Sequence, residues 1–298
     1  MSIHSSKPRS APTSKRGWTD ARAPRAAPIL AVCLLLALAA CGREEDARGP
    51  GAAGPAAGSA PAAAPATAPE AVQLEDVIET DPRYIIGISY PRGIDRYPGL
   101  AAVLKRYADA ARAEVLSAVE DVDAASLTSP YDLSLAFSMP VETPRVVAVA
   151  ADGSAYTGGA HGNPLVARFV WLPTAGQLLT ADQLIPETGG WQDVSAYVRE
   201  QLHSALSQRV DADDLTPVER EQVMRSAIRM IDEGSDPEHR NFAQFEPVPG
   251  ADGRLRALRF VFPPYQVGPY SDGVQTVEVP ASVLLPHVAP QYRDLFAA

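Results

Sequence analysis

Between Tyr131 and Met139, apolar side chains at Tyr131, Leu133, Leu135, Phe137 and Met139 alternate with the small or polar Asp132, Ser134, Ala136 and Ser138. Successive side chains of an extended chain point to opposite faces, so this stretch is a strand with one buried and one wet face. Sheets that keep a face in water are antiparallel, because parallel sheets are covered on both sides. The same period recurs at Tyr84, Ile86, Ile88 and Tyr90, stopped by Pro91 and Gly93, and at Leu165, Ala167, Phe169 and Trp171. Arg145 to Ala150 reads as a further strand, with Asp152-Gly153 as a turn signal. Pro173 to Gly176 turns the chain into Gln177–Leu179.

Helical spacing appears elsewhere. Leu100, Leu104, Tyr107, Ala111, Val115 and Ala118 recur at steps of three and four, as do Trp191, Val194, Val198, Leu202 and Ala205. Thr180 is placed to cap a short helix ending at Pro186. Thr216-Pro217-Val218-Glu219 is a capping box with proline at the first helical position, starting a helix through Ile231 with Gly234 as its stop. Strands are expected again at Asn241–Phe245, Leu255–Phe262 and Val274–Val279, and helical turns at Ser282–Leu285 and Gln291–Phe296. The expected class is α+β, a mainly antiparallel sheet with helices packed on one face.

Only part of the chain has this character. Residues 1–28 are basic, and Ile29 to Ala40 form an apolar run too short for a permanent membrane span. Together they read as a secretory signal, 1–40. The run closes on Leu38-Ala39-Ala40-Cys41-Gly42, which resembles a bacterial lipobox, so cleavage before Cys41 and lipidation of its thiol are expected. With glycine rather than aspartate after the cysteine, the expected location is the outer membrane, facing the periplasm. Residues 41–72 are mostly Ala, Pro and Gly and read as a tether with a reach of roughly 30 Å. The remainder divides, on this reading, into an N-terminal module at 73–150 and a C-terminal module at 151–298.

Charge and cysteine narrow the chemistry. The formal net charge is −10; the first forty residues hold six basic side chains and one acid, so the rest carries −15. Such a surface argues against nucleic acid, whose phosphates need Lys and Arg, and favours a cationic partner through steering. Cys33 and Cys41 are the only cysteines, one inside the leader and one at its end, which excludes disulfides within the folded part. The remaining histidines, His161, His203, His239 and His287, are far apart in sequence, and neither a metal nor another cofactor is expected. His203 and His239 lie in polar surroundings and are expected to be solvated.

Two stretches stand out as candidate binding residues. Tyr156-Thr157-Gly158-Gly159-Ala160-His161-Gly162-Asn163 places three glycines around one histidine between two strands. Glycine serves where the backbone takes positive φ or approaches something closely. The stretch is either a special turn presenting Tyr156, Gly158, Gly159, His161 and Asn163 to a ligand, or a tight strand connection whose histidine bonds to nearby backbone. Gly158 and Gly159 are expected to matter mainly for folding. Phe262-Pro263-Pro264-Tyr265 through Tyr270-Ser271-Asp272-Gly273 is a second, aromatic loop. Tyr265 and Tyr270 are either binding anchors, which tyrosine supplies at low entropy cost, or packing for the loop itself. The two loops are expected to meet in space if their strands share a sheet.

Taken together, the element order, Thr157-Gly158-Gly159-Ala160-His161-Gly162, Tyr90-Pro91 and the Tyr265–Gly273 loop resemble the paired extracytoplasmic domains of the RsiV and PdaC family. That family includes a lysozyme-sensing anti-sigma factor and a peptidoglycan deacetylase. The resemblance covers nearly all of the foldable part. It implies an extracytoplasmic binding module for a cell-wall glycan or a lysozyme-like protein, without the sigma-binding or deacetylase activity. The expected role is therefore a non-catalytic envelope lipoprotein. One alternative is a structural or assembly lipoprotein with no small ligand. A His161-dependent hydrolase is a further alternative, but nothing in the spacing of Asp152, Ser154 and Asp272 joins them to His161, and no HExxH, GxSxG or Walker motif is present.

Overall fold

The computed structural model describes residues 72–297. The expected signal segment, the expected lipidation site Cys41 and all but the last residue of the expected tether lie outside the described residues. Among the described residues, no helix is long and apolar enough to cross a membrane.

The first sheet has six strands in sequence order: β1 (Val77–Asp81), β2 (Tyr84–Ser89), β3 (Tyr131–Glu142), β4 (Val147–Tyr156), β5 (Asn163–Leu172) and β6 (Gln177–Leu178). All pairings are antiparallel except β2–β3, where Tyr84 pairs with Tyr131. A parallel step needs a long crossover, and α1 (Pro98–Val119) supplies it. Its apolar stripe packs on the sheet, with Leu100 and Leu104 fully buried against Ile86, Leu133, Leu135 and Val149. Burying one leucine of this kind favours the fold by about 2 kcal/mol before entropy is counted.

The second sheet is β7 (Phe245–Pro249), β8 (Leu255–Phe262) and β9 (Gln275–Pro280), all antiparallel. Between the sheets in sequence come α2 (Ala181–Leu184), α3 (Gly190–Ala212) and α4 (Pro217–Gly234); α5 (Ala281–Leu284) follows β9. α3 and α5 lie against this sheet. The second core centres on Trp191, Phe242, Phe260 and Phe262, whose ring centroids lie 5.1 to 6.3 Å apart in the pairs that touch. The fold is α+β with antiparallel pairing predominant; the expected capping box of Thr216 with Glu219 forms, and Thr180, expected as a cap, forms a second box with Gln183.

The sheets meet where β7 lies across β5. Arg168 of β5, its side chain only 8% exposed, joins them: its Nε bonds to Glu246 of β7 at 2.6 Å and its Nη1 to Asp152 of β4 at 2.9 Å. Arg259 reaches Glu246 at 3.4 Å and Glu278 at 2.5 Å, carrying the ion network across the second sheet. Its guanidinium holds the Glu278 carboxyl below the usual carboxylate range.

Four details depart from the sequence reading. Asp152-Gly153 is not a turn, because β4 runs straight through it; a β-carbon on Gly153 would overlap the Ser134 carbonyl oxygen and lie 2.9 Å from the Leu135 Cα. Glycine here lets two strands approach closely. The expected boundary at 150/151 consequently falls inside β4, and the first sheet extends to Leu178. Asn241–Phe242 belongs to a 3-10 turn (His239–Phe242), and the strand begins at Phe245. β1 was not expected from its short pattern, since only alternate residues are even partly buried.

Candidate functional site

His161 follows the end of β4, and Tyr265 and Tyr270 follow the end of β8. The two loops meet. The Tyr265 hydroxyl lies 2.8 Å from His161 Nε2, across 104 residues of sequence. The Tyr270 ring stacks on the imidazole with centroids 4.0 Å apart and planes inclined by 15°. The two tyrosine rings are themselves 5.7 Å apart. The loops meet although their strands belong to different sheets.

The hydrogen bonds fix the tautomer of the neutral histidine. Nδ1 is 3.0 Å from the Gly162 carbonyl oxygen, which only accepts, so Nδ1 carries the proton. Nε2 is then a bare acceptor, and the Tyr265 O–H donates to it. Asp152 and Asp272 are occupied elsewhere: Asp152 pairs with Arg168, and Asp272 with Arg209 of α3 at 2.8 Å. The imidazole is thus oriented by a backbone carbonyl and a phenol. A triad histidine would be oriented by a carboxylate.

Backbone strain marks the aromatic loop. Among the described residues Tyr265 is the one non-glycine with positive φ, at 74°. A bulky residue in that region costs about 1–2 kcal/mol, and persists where its surroundings impose it. Here the next residue is the anchor. The Gln266 side-chain amide donates to Gly234 O at 2.9 Å and Asn241 O at 2.8 Å, while Val267 is buried. The Tyr265 N–H donates to Gly268 O at 2.9 Å. Arg209 fixes the far end through Asp272, two residues beyond Tyr270. Tyr265 is 53% exposed and Tyr270 38% exposed, so rigid backbone presents two rings to solvent.

The other expected residues divide. Gly158 and Gly159 take φ of 100° and 106°, as the turn reading requires. Tyr156 closes the glycine loop on itself, its hydroxyl donating to Gly159 O at 3.2 Å with its ring edge against Tyr131. Asn163 is exposed at the start of β5, where it pairs with Ala155, and takes no part in the bonds joining the loops. His239 is exposed, but His203 is not simply solvated: its Nε2 sits 3.2 Å from Asp232 Oδ1, one helix against the next. The sequence reading missed Gln266 and Arg209, which hold the loop. A glutamine beside two tyrosines gives no signal of its own, and Gly234 was read only as a helix stop.

Tyr265→Gly is expected to keep or raise the melting temperature, since glycine takes positive φ without strain. A clear drop would mean that the Tyr265 contacts outweigh the strain.

The aromatic loop also lies within a sequence-level match. Residues 255–282 match the family model described as Protein of unknown function (DUF3298). The segment holds β8, both tyrosines and β9, but not His161. No curated protein matches the chain. Among solved structures it is similar to a DUF3298 family protein from Pseudomonas aeruginosa PAO1, at 16% identity and a TM-score of 0.50, over 75% of this chain and 96% of that one. A second similar structure is a DUF3298 family member from Bacteroides fragilis NCTC 9343, at 14% identity and a TM-score of 0.41, over 65% of this chain and 71% of that one. The first likeness concerns the fold alone.

Proposed function

We propose that this chain is an envelope lipoprotein, anchored through Cys41, whose folded part is a non-catalytic binding module for a cell-wall glycan. The observation that carries the reading is the exposed His161–Tyr265–Tyr270 cluster, held on a strained and doubly anchored loop. Tyrosine offers an apolar face with a polar tip, suited to the faces and hydroxyls of a sugar ring. Strain retained at an exposed residue is a mark of selected geometry, because a glycine would relieve it. A basic lysozyme-like protein is the second reading, favoured by the −15 charge outside the leader.

Titration of the folded domain with purified muropeptides, and separately with lysozyme, tests the pair. Tyr265→Ala and His161→Ala are expected to remain folded and to lose binding by about tenfold or more, a difference of about 1.4 kcal/mol. Muropeptide binding that both variants retain would remove the cluster from the site, and binding of lysozyme alone would select the second reading. For the anchor, Cys41→Ala is expected to abolish acyl labelling and to leave unprocessed precursor; labelling that persists would end the lipobox assignment.

A further inference from the structure

A concave surface lies at the end of the first sheet opposite His161. β4 is ten residues long, which puts this region on the order of 30 Å from His161. Here the β3–β4 turn, the β5–β6 turn and the C-terminal 3-10 segment Pro290–Leu295 enclose a cleft of about 480 Å³. Its floor is apolar, made by Leu172, Tyr292 and Leu295, each under 10% exposed. Gln177, Arg145 and Asp294 stand at its rim.

The walls are fixed by backbone bonds. Thr143 Oγ1 accepts from the N–H groups of Arg145 at 3.3 Å and Val146 at 3.0 Å, which pins the turn carrying Arg145. On the other side the Ala297 N–H donates to Leu255 O at 2.9 Å, and Phe296 bridges to Leu255. The cleft is therefore preformed, of a volume ordinary for a small-molecule site, with an apolar lining and few polar groups.

The polar rim selects the ligand. A guanidinium offers five N–H donors. Arg145 uses Nη2 on Asp294 at 2.6 Å, and no other side-chain bond is formed by its remaining donors among the described residues. Asp294 is 74% exposed and Arg145 39% exposed, and an exposed pair of this kind contributes little to stability. An incoming anion needs only to share Arg145 or to displace a solvated carboxylate. An incoming cation would meet the Asp294 charge already offset by Arg145.

We infer that this cleft binds an amphipathic organic anion, with its apolar body over Leu172, Tyr292 and Leu295 and its carboxylate or sulfonate on Arg145. The site is separate from the His161 cluster and does not depend on the function proposed for it.

The test uses 8-anilinonaphthalene-1-sulfonate as the anionic probe and N-phenyl-1-naphthylamine as its uncharged counterpart, each titrated by fluorescence into the folded protein. The sulfonate is expected to fill one saturable site. Arg145→Met is expected to weaken it by about tenfold while leaving the uncharged dye unchanged. Asp294→Asn, a change at a solvated side chain that leaves the fold intact, is expected to tighten it several-fold by removing the competing charge. Equal binding of the two dyes, an Arg145→Met variant that binds the sulfonate as the parent does, or weaker binding in Asp294→Asn would each overturn the assignment.

Discussion

Gly234→Ala is expected to destabilise the domain by about 2–3 kcal/mol and to weaken binding at the His161 cluster. Gly234 closes α4, and inside a helix alanine is ordinarily preferred to glycine by about 1 kcal/mol. Propensity alone therefore gives the opposite sign. Packing decides, because a β-carbon at Gly234 would overlap the Gln266 carbonyl oxygen and lie 2.6 Å from its carbonyl carbon. Those are backbone atoms, so no rotamer change relieves the overlap and the segment itself must move. That segment fixes Tyr265, the residue before Gln266, through bonds to Gly234 and Asn241. Urea unfolding measures the first effect and ligand titration the second. A variant as stable as the parent would mean that the aromatic loop yields freely, contrary to an anchored Tyr265.

The other large effect is expected at Arg168. Arg168→Met should cost about 3 kcal/mol, as breaking a buried ion pair from one side generally does. Glu246, 14% exposed, would keep only Arg259 at 3.4 Å as a cationic partner. Asp152, half exposed, would turn to water at little cost. Restoring neutrality with Arg168→Met and Glu246→Gln together is expected to recover part of the loss, since the isolated buried charge is the main penalty. A single variant that loses less than about 1 kcal/mol would show that the Arg168–Glu246 pair is not needed to hold β5 against β7.

Much of this architecture was legible because it rests on period. The alternation from Tyr131 to Met139, the three- and four-residue steps of α1 and α3 and the Thr216 capping box each encode a local geometry that a buried face then fixes. What failed was non-local. Asp152-Gly153 carries a turn signature, but the glycine answers to the Ser134 backbone, a strand away. Pro247 sits in β7 despite lacking an N–H. The histidine and the tyrosines were visible as unusual composition, and their meeting was expected on the condition of a shared sheet. They meet across two sheets, through the packing of β7 on β5. Gln266 and Arg209 gave no sequence signal, because the role of each is set by a partner 25 or more residues away.

The hydrogen bond between His161 and Tyr265 spans 104 residues, which bears on the order of events during folding. Contacts this distant in sequence are entropically costly to close early. The hairpins β3–β4 and β4–β5 are local and can form first. The cluster can assemble only after the second sheet has docked and α4 has received Gln266. In a refolding experiment, recovery of ligand binding should therefore trail recovery of strand and helix signal, making the site a late reporter of the completed fold.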